Sequence, residues 1–196
     1  RVYGGYHDAG DADRRAYHMA NPIINLMIYE AFPEYFTDGQ YDLPGKFDGE
    51  YNITGYANGI PDIVDEAAWG SLAWECLQNE DGSIHFGTET RGYPEPFAAP
   101  LDRDEKKYGT VKTDNRATCT GAGLFMHLAR ILKPYDAGRS SKLARRAENA
   151  MRSGDAAMAA PERLYYHIQR YLLFRQAADR QKIRELYKIA AGLKDN

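Results

Sequence analysis

The 196-residue chain is 43% hydrophobic and 27% charged, a composition typical of one ordinary globular domain and not of a disordered, collagenous or membrane-spanning chain. Its 25 basic and 28 acidic residues give a formal net charge of −3, which argues against nucleic acid as a partner, because such proteins are usually strongly basic on one face. No apolar run approaches the roughly 20 residues of a membrane span, and no basic-then-apolar leader opens the sequence. We therefore expect no membrane partner and no signal peptide in this sequence.

The first half of the chain alternates helices with long irregular segments. A helix is predicted from about residue 12 to 31, followed by a loop over residues 38–59 that contains five Gly and four Tyr or Phe. The clearest helix begins at Pro61, which suits a first helical position, with Asp62 and Asp65 in its first turn, and it ends at Asp81. A second irregular region runs to about residue 114, with one short strand predicted over residues 83–86 and no sheet.

The second half is predicted to be helical with short breaks, over about residues 122–132, 140–152, 161–176 and 180–191. Six helices and two long loops indicate an all-α architecture of helical hairpins. Long loops on a rigid scaffold are where functional sites usually lie.

The segment Gly4–Asp11 (Gly-Gly-Tyr-His-Asp-Ala-Gly-Asp) is the strongest candidate for chemistry. Glycine permits backbone geometries that can direct Asp8 and Asp11 into the same space, beside Tyr6 and His7. Two close carboxylates separate each other's pKa values, so that one can remain an ionised base while the other orients water. The structural alternative is that Asp11 only caps the predicted first helix.

Metal binding has less support in the sequence. Asp8, Asp11 and Asp13 form an acidic cluster, but their order does not follow the calcium-loop pattern. The five histidines lack zinc-binding spacing, and Cys76 and Cys119 form neither a disulfide framework nor a C-x-x-C pair. We therefore predict no metal and no cofactor, with calcium as the open alternative.

Segment Gly4–Asp11 closely resembles the N-terminal signature of the family 9 glycoside hydrolases, the inverting cellulases. Segment Ile60–Gly70 is similar to that family's helix with Asp-Glu followed by Trp-Gly, and Gln78–His85 to its Gln-x-x-x-Gly-x-x-x-His turn. Residues 117–131 lie where the family has its next inner helix, so the resemblance covers roughly residues 1–152. It implies an (α/α)6 barrel, a toroid of six helical hairpins, of which about half is present: residues 1–196 would be the N-terminal half of the catalytic domain.

The resemblance also implies an activity and site residues. The activity is hydrolysis of β-1,4-glucosidic bonds in cellulose or related β-glucans, with Asp11 as the catalytic base and Asp8 helping to position the attacking water. Tyr6 and His7 would lie beside them in the substrate cleft. His85 is a further substrate-binding candidate, with an equally weighted alternative in which it hydrogen-bonds a loop carbonyl.

The resemblance is incomplete in three respects. No residue from 153 to 196 matches the family's acid-bearing Glu motif, so the C-terminal half of the barrel is an expected partner. The family's calcium motif is only hinted at by Ser153–Asp155, since Ala156 and Ala157 occupy its acidic positions, and Tyr6 stands where Trp is common. Secretion, or a cell-surface or periplasmic location, follows by analogy alone, because cellulose is insoluble and outside the cell.

Two other functions remain open on the sequence. One is a non-catalytic glycan-binding helical domain that keeps the aromatic loops without a complete acid–base pair. The other is a different helical-barrel enzyme such as a polysaccharide lyase, for which Arg14, Arg15 and His18 would supply charge and a base. Trp69 and Trp74, at helical spacing, are predicted to be core residues and not sugar platforms.

Overall fold

The structure of the chain, a computed structural model, describes residues 2–7, 14–90, 108–154 and 159–192. Within these ranges it contains six α-helices: α1 Ala20–Ala31, α2 Asp62–Cys76, α3 Asn115–Leu132, α4 Ala137–Gly154, α5 Ala160–Phe174 and α6 Ala177–Ala190. The predicted all-α class is confirmed. No helix of the described ranges is long and apolar enough to cross a membrane.

Helix α3 forms the centre of the core, and 14 of its 18 residues are buried. Asp114 caps it, since the Asp114 carboxylate accepts a hydrogen bond from the Ala117 N–H at 2.9 Å. Helices α1, α2, α4 and α5 all pack against α3. Gly123 allows the approach of α5, because a Cβ there would lie 2.3 Å from Cδ1 of Tyr165.

A buried polar network joins α1, α3 and α5. His127, with no exposed surface, contacts a Glu30 carboxylate oxygen through Nε2 and the Tyr165 hydroxyl through Nδ1, both at 2.6 Å. Arg130 pairs with the other Glu30 oxygen at 2.5 Å and donates to Gln169 at 2.8 Å. Burial raises the pKa of Glu30, but hydrogen bonds from His127 and Arg130 outweigh it and lower that pKa to about 2. Burial lowers the pKa of His127, so a neutral imidazole satisfies both bonds.

The predicted start of the first helix is wrong. Arg15 has extended backbone angles (φ −130°, ψ 148°), residues Ala16–Met19 form a 3₁₀ turn, and α1 begins at Ala20. The reason is Pro22, which lacks an N–H and is tolerated only in the first turn of a helix. The helix that Asp11 was expected to cap therefore begins well beyond it.

The irregular regions contain short strands that the sequence did not indicate. Strand β1 (Lys46–Phe47) pairs antiparallel with β2 (Ile53–Gly55), and β3 (Thr88–Thr90) pairs antiparallel with β4 (Tyr108–Thr110). The strand predicted over residues 83–86 is represented by isolated bridges at Ile84 and His85. These strands are two or three residues long, too short for an alternating hydrophobic pattern.

The Glu30 network makes stability pH-dependent. Because the folded pKa of Glu30 lies below its ordinary value of 4.5, its carboxylate contributes stability that is present above pH 4.5 and lost as the pH falls through 2. Glu30→Gln should lower the free energy of unfolding by about 1–3 kcal/mol at neutral pH, because His127 and Arg130 lose a charged acceptor. Urea unfolding from about pH 7 to about pH 3 measures both effects. The exposed Glu34 provides the control, and an equal loss in Glu34→Gln would contradict the prediction.

Candidate active site

The N-terminal segment, residues 2–7, packs along helix α2. The Gly5 N–H donates to the Trp69 carbonyl at 3.0 Å, and both Gly4 and Gly5 have left-handed backbones, with φ of 66° and 77°. A Cβ at Gly4 would lie 2.3 Å from the Trp69 carbonyl oxygen. Glycine is therefore required at position 4 both by its backbone angle and by the close approach.

Tyr6 follows the two glycines and packs on the same helix. Its hydroxyl donates to the Glu66 carbonyl at 3.1 Å, and its ring lies against Gly70. Burial, together with the nearby Glu66 carboxylate, raises the pKa of Tyr6, so its hydroxyl stays protonated and remains a donor. His7, next in the chain, is exposed.

Arg14 lies at the other end of the predicted catalytic segment and is fixed to strand β3. Its N–H donates to the Thr88 hydroxyl at 3.1 Å, and its carbonyl accepts from the Thr88 N–H at 3.1 Å. Gly87 allows this contact, because a Cβ there would lie 1.8 Å from the Arg14 carbonyl oxygen. The Arg14 side chain donates from Nε to the Gly4 carbonyl at 2.7 Å.

The structure therefore brings together the two ends of the segment that carries both predicted catalytic carboxylates. Asp8 and Asp11 themselves, with Asp13, lie outside the described residues, and their assigned roles stay predictions. Gly4 and Arg14, which lie on either side of them in the chain, are joined by the hydrogen bond from Arg14 Nε to the Gly4 carbonyl.

His85 lies beside the N-terminal end of α3. Its Nδ1 is 2.5 Å from the Val111 carbonyl oxygen, and its Nε2 is 3.2 Å from Oδ1 of Asn79. The Asp114 N–H, at the cap of α3, donates to the Ile84 carbonyl at 3.1 Å, which fixes the neighbouring backbone. The contact with a loop carbonyl, which was the alternative interpretation of His85, is present, and substrate binding by His85 stays a prediction.

A cluster of three carboxylates, not anticipated from the sequence, lies where the loop before α2 meets that helix. Asp38, Asp62 and Asp65 place one oxygen each within 4.8 Å of one another. Asp62 is 1% exposed, and its two oxygens accept from the Gly39 N–H at 2.7 Å and the Tyr41 N–H at 2.6 Å. Asp62 and Asp65 were visible as helix N-terminal acids, but nothing in the sequence indicated that Asp38 joins them.

Two oxygens of the cluster lack a hydrogen bond. Asp38 accepts from the Gly59 N–H at 2.6 Å and Asp65 from the Asn58 amide at 3.1 Å, whereas the other oxygen of each is buried without a partner. Burial, together with Asp38 and Asp62, raises the pKa of Asp65 to about 6, although the Asn58 hydrogen bond opposes the shift. Donors that are all oxygen suit calcium or magnesium. The prediction of no metal stays a prediction.

Gly70→Ala tests the packing of Tyr6 on α2. The new Cβ would lie 2.5 Å from Cε2 of Tyr6, so the ring must move. Alanine in a helix interior normally stabilises by about 0.5–1 kcal/mol relative to glycine, so a fall in the unfolding temperature would identify the steric conflict. Gly49→Ala, where a Cβ meets nothing within 4 Å, is the matched control. A Gly70→Ala chain more stable than the wild type would contradict this packing.

Asp65→Asn tests the electrostatics of the carboxylate cluster. The folded pKa of about 6 lies above the ordinary value of 3.8, so stability is lost as the pH rises from 3.8 through 6 and the carboxylate ionises. Asparagine removes this cost and should raise the free energy of unfolding at neutral pH by about 1 kcal/mol, a reduced figure because the side chain is only half-buried. The gain should vanish near pH 4. Chemical unfolding at both pH values measures it, with exposed Glu50→Gln as the control; a destabilised Asp65→Asn chain at neutral pH would refute it.

The chain is similar in sequence to two curated proteins. No family model matches the chain. It is 28% identical over 142 residues to a cellodextrinase of Butyrivibrio fibrisolvens and 26% identical over 140 residues to endoglucanase C of Cellulomonas fimi. These matches include 72% and 69% of the chain, but only 24% and 12% of the relatives.

Solved structures show the same similarity. A metagenome-derived glycoside hydrolase family 9 endoglucanase matches 98% of the chain with a TM-score of 0.76 and 24% identity, and a family 9 protein of Bacteroides ovatus matches 93% with a TM-score of 0.71 and 20% identity. The resemblance to the family 9 glycoside hydrolases is confirmed. The chain has the fold of part of their (α/α)6 barrel, since it spans 36% and 37% of these two proteins.

Proposed function

We propose that the protein hydrolyses β-1,4-glucosidic bonds in cellulose or a related β-glucan by an inverting acid–base mechanism. The observation that carries this proposal is the hydrogen bond between Gly4 and Arg14, on either side of the Asp8 and Asp11 motif, in a chain with the fold of family 9 structures. The cellodextrinase and endoglucanases that the chain matches support a glucan as the substrate.

In this mechanism Asp11 is the general base and deprotonates the attacking water, while Asp8 helps to position that water. An inverting enzyme holds its acid and base about 6.5–9.5 Å apart, with the water between the base and the anomeric carbon. Asp8 and Asp11 are only three residues apart, so they suit one face of the sugar and not opposite faces. The hydrogen bonds of Gly4, Tyr6 and Arg14 fix the described residues on both sides of the two carboxylates in the chain, which supports a preorganised site.

The general acid is proposed to come from the part of the barrel that this chain does not match. The apolar surface of the fold supports this, because α1 and the following turn expose large side chains that a complete barrel would cover. Their exposed fractions range from 40% to 67%, at Ile24, Met27, Ile28, Phe32 and Tyr35. We propose that further barrel helices cover this surface in the complete enzyme, and that the enzyme acts outside the cell or at its surface, where insoluble glucan is found.

The structure does not favour the lyase alternative. The residues that would supply its charge and base are engaged in the fold: Arg14 donates to Gly4, the Arg15 guanidinium donates to the Thr88 carbonyl, and Nδ1 of buried His18 accepts from the Arg15 N–H at 3.2 Å. A non-catalytic glycan-binding domain would share the fold and the loops, and only an activity measurement separates it from the hydrolase.

Asp11→Asn separates a catalytic base from a structural aspartate. In the full-length natural protein that contains this sequence, Asp11→Asn should lower kcat by about 10²–10⁴, because asparagine cannot accept the proton of water. Folding should be nearly unchanged. Reducing ends released from a soluble β-glucan measure the rate, and NMR of fresh wild-type product should show the α anomer first. Activity of Asp11→Asn within about threefold of the wild type would overturn the assignment, and an initial β anomer would exclude inversion.

A further inference from the structure

A cavity of about 480 Å³ lies between the β1–β2 hairpin, helix α2 and the start of helix α4. We call it the hairpin groove. The side chains that line it include four aromatic residues, two acids and one arginine, namely Phe47, Tyr51, Trp69, Tyr135, Asp65, Asp136 and Arg139. Its volume lies in the range of sites that hold small organic ligands.

The aromatic walls of the hairpin groove are held in place by ring contacts. Phe47 is stacked with Trp69, with ring centroids 5.5 Å apart and planes 19° apart, and Tyr51 lies 6.4 Å from Phe47. Tyr3, from the N-terminal segment, stacks on Tyr51 at 4.3 Å. Trp69 is only half-buried and lines the groove, so the prediction that it is a core residue is wrong, whereas Trp74 is fully buried in the core as predicted.

Tyr51 adopts a backbone conformation that is unfavourable for its residue type. Its φ is 62°, in the left-handed region that glycine or asparagine normally occupies. The hairpin turn holds this conformation, since the Tyr51 N–H donates to the Asp48 carbonyl at 3.1 Å and the Asp48 carboxylate accepts from the Glu50 and Asn52 N–H groups. A strained position that directs an aromatic ring into a cavity is typical of a binding site.

The polar side chains of the groove match the hydroxyls of a sugar. Asp136 is exposed and offers carboxylate acceptors, and the Arg139 side chain, 38% exposed, offers guanidinium donors. The closest described acid to Arg139 is Glu75, at 3.4 Å, which is a long contact. Flat apolar rings beside a donor and an acceptor suit a pyranose, whose ring has an apolar face and a polar edge.

The hairpin groove is separate from the predicted substrate residue His85. The groove is lined by Leu132 and Tyr135 at the C-terminal end of α3, whereas His85 lies at its N-terminal end. An 18-residue helix is about 27 Å long. One monosaccharide unit cannot bridge that distance, so a sugar bound in the groove does not contact His85.

We propose that the hairpin groove binds glucose units of a β-glucan chain, as a carbohydrate-binding site in addition to the catalytic cleft. The choice of β-glucan rests on the proposed function, and the choice of a sugar rests on the groove itself. Such a site would hold the polymer on the protein while a distant segment of the same chain is cleaved.

Tryptophan fluorescence tests the proposal, because the chain has two tryptophans and only Trp69 lines the groove. Titration of the chain with cellotetraose should give a saturable change. Trp69→Phe should remove the change, and Trp74→Phe should retain it. Phe47→Ala should raise the Kd about tenfold, the loss expected for truncating a central aromatic contact. Tyr56→Ala, an exposed aromatic on the same loop but outside the groove, is the matched control and should leave the Kd unchanged.

Circular dichroism checks that each variant folds, and Arg139→Gln gives a second measurement that leaves the aromatic walls in place. The absence of saturation up to about 10 mM cellotetraose, or a Kd unaffected by both Phe47→Ala and Arg139→Gln, would overturn the proposal. Asp11→Asn should bind with the wild-type Kd. In the full-length natural protein, which would supply the general acid, groove binding without hydrolysis would refute the proposed function alone, and hydrolysis without groove binding would refute the second site alone.

Discussion

The burial of helix α3, 14 of whose 18 residues are buried, is the constraint on which the other helices depend. Such a helix must have small residues where its neighbours approach closely, which is the role of Gly121 against Ile84 and of Gly123 against Tyr165. It must also satisfy each polar group that it carries into the core. The buried His127 imidazole would destabilise the fold if it were left unpaired, and α1 and α5 each supply it with one hydrogen-bond partner, Glu30 and Tyr165.

Close backbone contact is also what positions the candidate active site. The segment that carries Asp8 and Asp11 is joined to the scaffold through main-chain bonds at Gly5 and Arg14, to a helix on one side and a strand on the other. These close contacts also explain why glycine occurs at positions 4 and 87, where a Cβ would collide with a carbonyl oxygen.

The sequence predicted the helices well because their apolar periodicity and terminal residues agree. It placed the last three helices within three residues of their observed bounds and identified the start of α2 from Pro61, but it began α3 at residue 122, whereas the helix begins at Asn115. It failed where tertiary contacts decide the conformation. Arg14 and Arg15 are extended because they pair with residues 87 and 88, more than seventy positions away, and the cluster of Asp38 with Asp62 likewise depends on the path of a loop. No local pattern records such distant pairings.

Helix α2 contacts both the N-terminal segment and the hairpin groove, and the spacing of its residues places each of these contacts on one face of the helix. Asp62, Asp65 and Trp69 are three and four residues apart, so the carboxylate cluster and the wall of the hairpin groove share one face. Glu66 and Gly70, which hold Tyr6, are displaced by about 100° around the helix. The two faces are adjacent and share the N-terminal segment, since Tyr6 packs on Gly70 while Tyr3 stacks on Tyr51 of the groove. Substitutions on the two faces are therefore close enough to couple, as are Asp65 and Trp69, and a double-mutant cycle should show non-additive stability.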